Sequence, residues 1–244
     1  MRTGNPVLND STFDGAAMTG ERRMTLTGTV NATLMLVTLL LAAAMYTWNK
    51  FAVDPGGTMV WVSGAAITGL ILALVTVFKK EWAVWTGSLY AIAQGLLLGG
   101  LSAMYEAQFN GIVLQAVLLT AGVLFALLAA YSMRLIKATE NFKLGVAAAT
   151  GGIFLVYLAT WILGFFGVQI PWIHESGAVG IGISVFVVIV AALNLVLDFD
   201  FIEQGCEHGA PKHMEWFAAF GLLVTLVWLY IEILRLLSKL ARRD

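Results

Sequence analysis

The run Ala191-Ala-Leu-Asn194-Leu-Val-Leu-Asp198-Phe-Asp200-Phe-Ile-Glu203-Gln-Gly205 passes from apolar side chains into carboxylates with no loop residues between the two phases. Its reading decides the fold. A helix apolar enough to cross a membrane that ends in acid places Asp198 and Asp200 at or just inside the edge of the hydrocarbon. A charge costs about 2.5–3.5 kcal/mol at a helix centre on insertion scales and less toward the interface, so acids in that place are functional candidates.

The rest of the chain agrees with a membrane reading. Of 244 residues, 59% are hydrophobic and only 12% are charged, against roughly 25% in an ordinary soluble domain. Apolar windows of about 20 residues, the length that crosses a bilayer, recur almost free of charge. The net charge of -1 and the lack of a basic stripe with interleaved aromatics exclude a nucleic-acid reading. The single Cys206 excludes an intrachain disulfide.

Residues 1–24 form a polar amino-terminal tail without the short apolar core of a signal peptide. Residues 25–240 then hold seven predicted spans, and 241–244 a basic carboxyl-terminal tail. The spans run from about Thr29 to Trp48, Met59 to Phe78, Trp82 to Met104, Ile112 to Ser132, Leu144 to Phe166, Ala178 to Leu197 and Trp216 to Leu237. The fold class is therefore an all-α, polytopic seven-helix bundle. Trp48, Trp61, Trp82, Trp85, Trp172 and Trp216 fall near span ends, where amphipathic rings anchor at the headgroups.

Lys and Arg set the orientation. With the amino terminus inside, the tail and the even-numbered links carry Arg2, Arg22, Arg23, Lys79, Lys80, Arg134, Lys137, Lys143 and Lys212, while the opposite links carry only Lys50. This bias predicts a multi-pass protein of the cell (inner) membrane with a cytoplasmic amino terminus. Seven crossings put Arg235, Lys239, Arg242 and Arg243 on the other side, against the bias, so the last segment either crosses sheltered by protein or is re-entrant.

Gly95 and Gly99 share a helix face and let another backbone approach, with Ser102 in the same packing motif. Asn194 and Asp198 also share a face, whereas Asp200 points about 200° from Asp198. Two carboxylates in a low-dielectric bundle do not both ionise cheaply, so the pair is expected to hold one proton near neutral pH. The plainer alternative is that both acids open a solvated loop, Asp198 to Glu215, which holds five of the fifteen carboxylates. Glu203 and Glu207 in that loop would gather cations at a pore mouth. Glu232 and Arg235 are three apart and would neutralise each other, with Glu232 the candidate partner for the acids of the sixth span.

Other chemistry is weaker. An EF-hand fails at Ile202 and Glu203, and Cys206, His208 and His213 do not have zinc spacing, so no metal is expected. Gly100-Leu-Ser102-Ala103 lacks the last glycine of an intramembrane serine protease, and the nearest base, His174, falls in an opposite-side link. A transporter would show broken helices in corresponding halves, and the spans show none. Neither an enzyme nor a cofactor is expected.

At Gln94-Gly95-Leu-Leu-Leu-Gly99-Gly100-Leu-Ser102, at Leu195 to Glu203, and at Leu229-Tyr230-Ile231-Glu232-Ile233-Leu234-Arg235-Leu236-Leu237, the chain resembles the Bax inhibitor family, in particular a bacterial branch. The resemblance covers residues 25 to 240. It implies six helices around a central carboxyl-terminal one, and a pH-sensitive calcium leak latched by two aspartates that share a proton. Other members are linked to control of cell death or of a membrane protease, so a non-conducting partner of another membrane protein is the rival reading. Asp198 or Asp200 matches the first latch aspartate. Thr225 stands at the second, and Trp228 where an Asn is common. A latch here must use Asp198 with Asp200, or recruit Glu232.

Overall fold

The structure is a computed structural model and describes residues 23–166 and 177–242. Trp172, His174 and residues 1–22 of the tail lie outside the described residues. Seven helices follow in order: α1 (Leu26–Val53), α2 (Pro55–Phe78), α3 (Ala83–Gln108), α4 (Ile112–Ser132), α5 (Glu140–Phe165), α6 (Ala178–Glu207) and α7 (Met214–Ala241). Each is long and apolar enough to cross a membrane. A 3-10 turn at Lys80–Trp82 joins α2 to α3.

The helices start and stop for local reasons. The Thr25 hydroxyl accepts from the Gly28 N–H and caps α1, satisfying an amide the helix cannot. Asp54 closes α1 and opens α2, its carboxylate accepting from the Gly57 N–H at 2.9 Å with Pro55 in the first helical turn. Thr139 caps α5, which begins four residues before the predicted span.

The largest departure from the sequence reading is at α6. The predicted span ends at Leu197 and a loop follows, but the helix continues to Glu207. The cause lies in the spacing after Leu197: Asp198, Phe199, Phe201, Ile202 and Gly205 are buried, while Glu203 and Glu207 face outward. That is helical periodicity with one face against protein. The acids therefore sit on a rigid helix, not in a solvated loop.

The bundle is organised around α7. In its most apolar window 78% of residues are buried, against 11% for α4 and for α5, whose Leu, Phe and Trp side chains face outward. Polar-outside logic is inverted, as lipid requires. α7 packs on α1, α3, α4 and α6, with Phe217, Phe220, Leu223, Leu229 and Leu234 wholly enclosed.

α7 also runs the full length of the bundle. At its start Lys80, in the α2–α3 turn, lies 5.6 Å from the Phe217 ring centre. At its end Arg242 lies 5.9 Å from the ring of Phe109, in the α3–α4 turn. These turns close opposite ends of α3, so the re-entrant alternative is excluded.

The α1–α3 contact is the closest helix pairing. A Cβ added at Gly95 would overlap the Leu40 carbonyl oxygen, and one at Gly99 that of Ala44. Backbone cannot give way there. Gly99→Leu is expected to cost at least about 1–3 kcal/mol, read as a lower unfolding midpoint in detergent. Gly122→Leu on α4, where an added Cβ meets nothing, should leave the midpoint unchanged.

Candidate functional site

A seam of polar contacts crosses the bundle where α5, α6 and α7 meet. Nearest the end where α1 begins, the buried Lys143 ammonium of α5 lies 2.8 Å from the Asp200 carboxylate of α6. Asp200 also accepts from Gln204 Nε2 at 2.5 Å. Asp198 is 1% exposed, one turn from Asn194 on the same helix. Asn194 Nδ2 donates to Thr150 Oγ1 of α5 at 2.9 Å and to the Val190 carbonyl at 2.8 Å.

Further along, Glu232 of α7 is 2% exposed and accepts from Arg235 Nη1 at 2.8 and 3.0 Å. The Tyr157 hydroxyl of α5 donates to the same carboxylate at 3.2 Å and accepts from Arg235 at 2.9 Å. At the far end the buried Lys239 ammonium donates to the Gly180 carbonyl and Ser184 hydroxyl of α6, each at 2.9 Å. Arg235 and Lys239, two of the basic residues that opposed the charge bias, are thus absorbed by α5 and α6.

The seam has a simple period. Lys143, Thr150 and Tyr157 are seven apart on α5, as are Glu232 and Lys239 on α7, which aligns each set on one helix face. At 1.5 Å per residue successive tiers stand about 10 Å apart. Glu232 then lies roughly 16 Å along the bundle from Asp198, so it does not partner the α6 acids as the sequence reading allowed. Its pairing with Arg235 is as expected.

Lys143 is the residue that sequence reading missed. It counts there as one more basic residue of a link, whereas it is the buried counter-charge of Asp200. The heptad spacing with Thr150 and Tyr157 is the signal that finds it.

On the opposite side of α6, a cavity of about 740 Å³ opens between α1 and α4, backed by α6 and by Leu222 of α7. Asp200, Glu203 and Glu207 all line it, so the expected pore-mouth acids share one space. The Tyr131 hydroxyl of α4 donates to Glu203. Asp200 is the residue common to cavity and seam.

The link after α6 is tied to the start of α1. The Met24 N–H donates to the Ala210 carbonyl at 2.7 Å. Buried Glu215 accepts from the Thr25 N–H at 2.9 Å, the Thr25 hydroxyl at 2.8 Å and Lys212 at 2.8 Å. His208 turns back onto the Gln204 carbonyl at 2.7 Å, and among the described residues no three His, Cys, Asp or Glu side chains gather into a metal-binding group.

The Ser102 hydroxyl is buried and shares a 2.7 Å hydrogen bond with Tyr230 of α7. It thereby fastens α3 to the central helix, beside the Gly95 and Gly99 contacts with α1. Thr225 is buried, its hydroxyl donating to the Gly221 carbonyl at 3.3 Å.

Seven apolar helices, with the carboxyl-terminal one buried among α1, α3, α4 and α6, define an integral multi-pass membrane protein. The chain belongs to the Bax inhibitor 1 like family, whose model matches residues 5–242. Searches of curated proteins and of solved structures give no match. Thr225 bonds its own helix, and Trp228 packs with Ile153, Val187 and Val190 at the α5–α6 contact.

Proposed function

We propose that the protein is a pH-responsive cation leak, calcium among its ions, gated where α5 meets α6. The observation that carries this is the placement of Asp198 and Asp200: one enclosed in the bundle, the other bridging the cavity acids to Lys143. Glu203 and Glu207 raise the local cation concentration at the mouth. Asp200 holds α5 through one ion pair. Protonating Asp198 removes a charge from the enclosed face of α6, so acid changes how α5 seats on α6.

α5 suits the moving part. Its most apolar window is 11% buried, and Lys143, Thr150 and Tyr157 supply its polar ties to α6 and α7. We place the amino terminus and the Lys-rich links on the cytoplasmic side of a cell (inner) membrane, on the strength of the Lys and Arg bias.

A second reading has its own observation. Residues 23–25 are fastened to the α6–α7 link through Glu215 and Ala210, so a protein gripping the tail would pull directly on the acidic helix. In that reading the chain regulates another membrane complex, such as a protease, and conducts nothing.

Deleting residues 1–20 separates the two. A leak keeps its calcium flux in liposomes, and a regulator loses its partner in detergent pull-downs while neither form conducts.

A further inference from the structure

The cavity between α1 and α4 is amphipathic along its depth. Leu26, Thr29, Val30, Thr33 and Leu34 of α1 line it, along about 12 Å of helix. Leu34, Leu124, Leu128, Phe199 and Leu222 give it apolar walls, and its charged lining residues are Arg134, Lys137, Asp200, Glu203 and Glu207, of which Asp200 is held by Lys143. Leu34 and Leu128 are among the side chains exposed at the outer surface of the bundle, so the cavity opens sideways toward lipid.

The charge at the mouth is divided by sign. Arg134 and Lys137 stand on the α4–α5 link, and Glu203 and Glu207 on the α6 wall. Arg134 follows the cap of α4 in the left-handed region (φ 56°). All four side chains belong to exposed residues. Among the described residues no ion pair joins the two sets. Glu203 accepts from the Tyr131 hydroxyl through one oxygen, so its second oxygen, Glu207 and the basic lip remain for a ligand.

We propose that this cavity binds a membrane phospholipid with a primary-amine headgroup. Its phosphate meets Arg134 and Lys137, its ammonium meets Glu203 and Glu207, and the first part of an acyl chain fills the leucine-lined interior. A volume of about 740 Å³ is in the range of drug-sized ligand sites and exceeds what a lone ion needs. An anionic headgroup satisfies the bases but sets its charge against the acids. A quaternary choline has no N–H to donate, whereas a primary ammonium offers three. The bound amine would sit where the leak reading gathers cations, yet lipid binding itself does not depend on conduction.

The test is competition of phosphatidylethanolamine, phosphatidylcholine and phosphatidylglycerol for the full-length protein, followed by native mass spectrometry from delipidated detergent. Phosphatidylethanolamine should bind best. In the Glu203→Gln, Glu207→Gln variant, whose substituted side chains are exposed, that preference should fall by about tenfold, the scale of one lost charge-assisted hydrogen bond, and phosphatidylglycerol should become the tightest. Leu128→Trp, which fills the interior, should weaken all three. Equal binding of the ethanolamine and choline lipids, phosphatidylglycerol tightest in the unmodified protein, or an unchanged preference in the glutamine variant would each overturn the proposal. Because no flux is measured, its failure leaves the leak reading standing.

Discussion

Replacing Arg235 with methionine is expected to lower stability by about 3–5 kcal/mol, the usual cost of leaving one member of a buried ion pair without its partner. Glu232 is the member left behind. It is 2% exposed, and its other hydrogen bond comes from Tyr157. The reverse change, Glu232→Leu, should cost less, because the Arg235 side chain is 32% exposed and a long guanidinium can reach toward the interface. Removing both, Glu232→Leu with Arg235→Met, should recover most of the loss, since an apolar pair of similar volume replaces a buried charge pair at little cost. The unfolding midpoint in one fixed detergent, taken for all three variants, reads this. A double variant as unstable as Arg235→Met alone would show that the pair is not coupled.

The second large effect is functional. Asp198→Asn with Asp200→Asn keeps side-chain size while fixing both groups in an uncharged form. Lys143 then faces an amide, and α5 loses its ion pair with α6. Flux should be flat between about pH 5 and 8, held at the level the unmodified protein reaches at its acid limit. The single variants divide the roles: Asp200→Asn removes the α5 tie and one cavity acid, whereas Asp198→Asn changes only the enclosed group. A double variant that titrates as the unmodified protein does would remove these acids as the sensor.

Much of the bundle is legible in the amino-acid order because a bilayer imposes a strong rule: apolar windows of fixed length, few charges, small residues where backbones meet. Gly95 and Gly99 announce the α1 contact they make, and Glu232 with Arg235 the pair they form. What the order hides is where a helix ends when its last turns are buried by protein instead of lipid. Charges after Leu197 look like the start of a loop, yet Phe199, Phe201 and Ile202 hold α6 helical to Glu207. The same blindness affects Lys143, whose partner is 57 residues away and whose burial depends on tertiary contact alone. Periodicity in polar residues on an apolar helix is the rule that reaches such sites.

Thr225, where the resemblance sets a second latch aspartate, bonds its own helix. In this chain the counter-group to the α6 acids comes from α5. A cation, Lys143, stands 2.8 Å from Asp200 and holds α5 to α6.

The most direct measurement is calcium flux from liposomes containing the unmodified protein at fixed orientation, followed from about pH 5 to 8. The account predicts a flux that changes across this range. Protein that is folded and inserted yet passes no cation at any pH would contradict it.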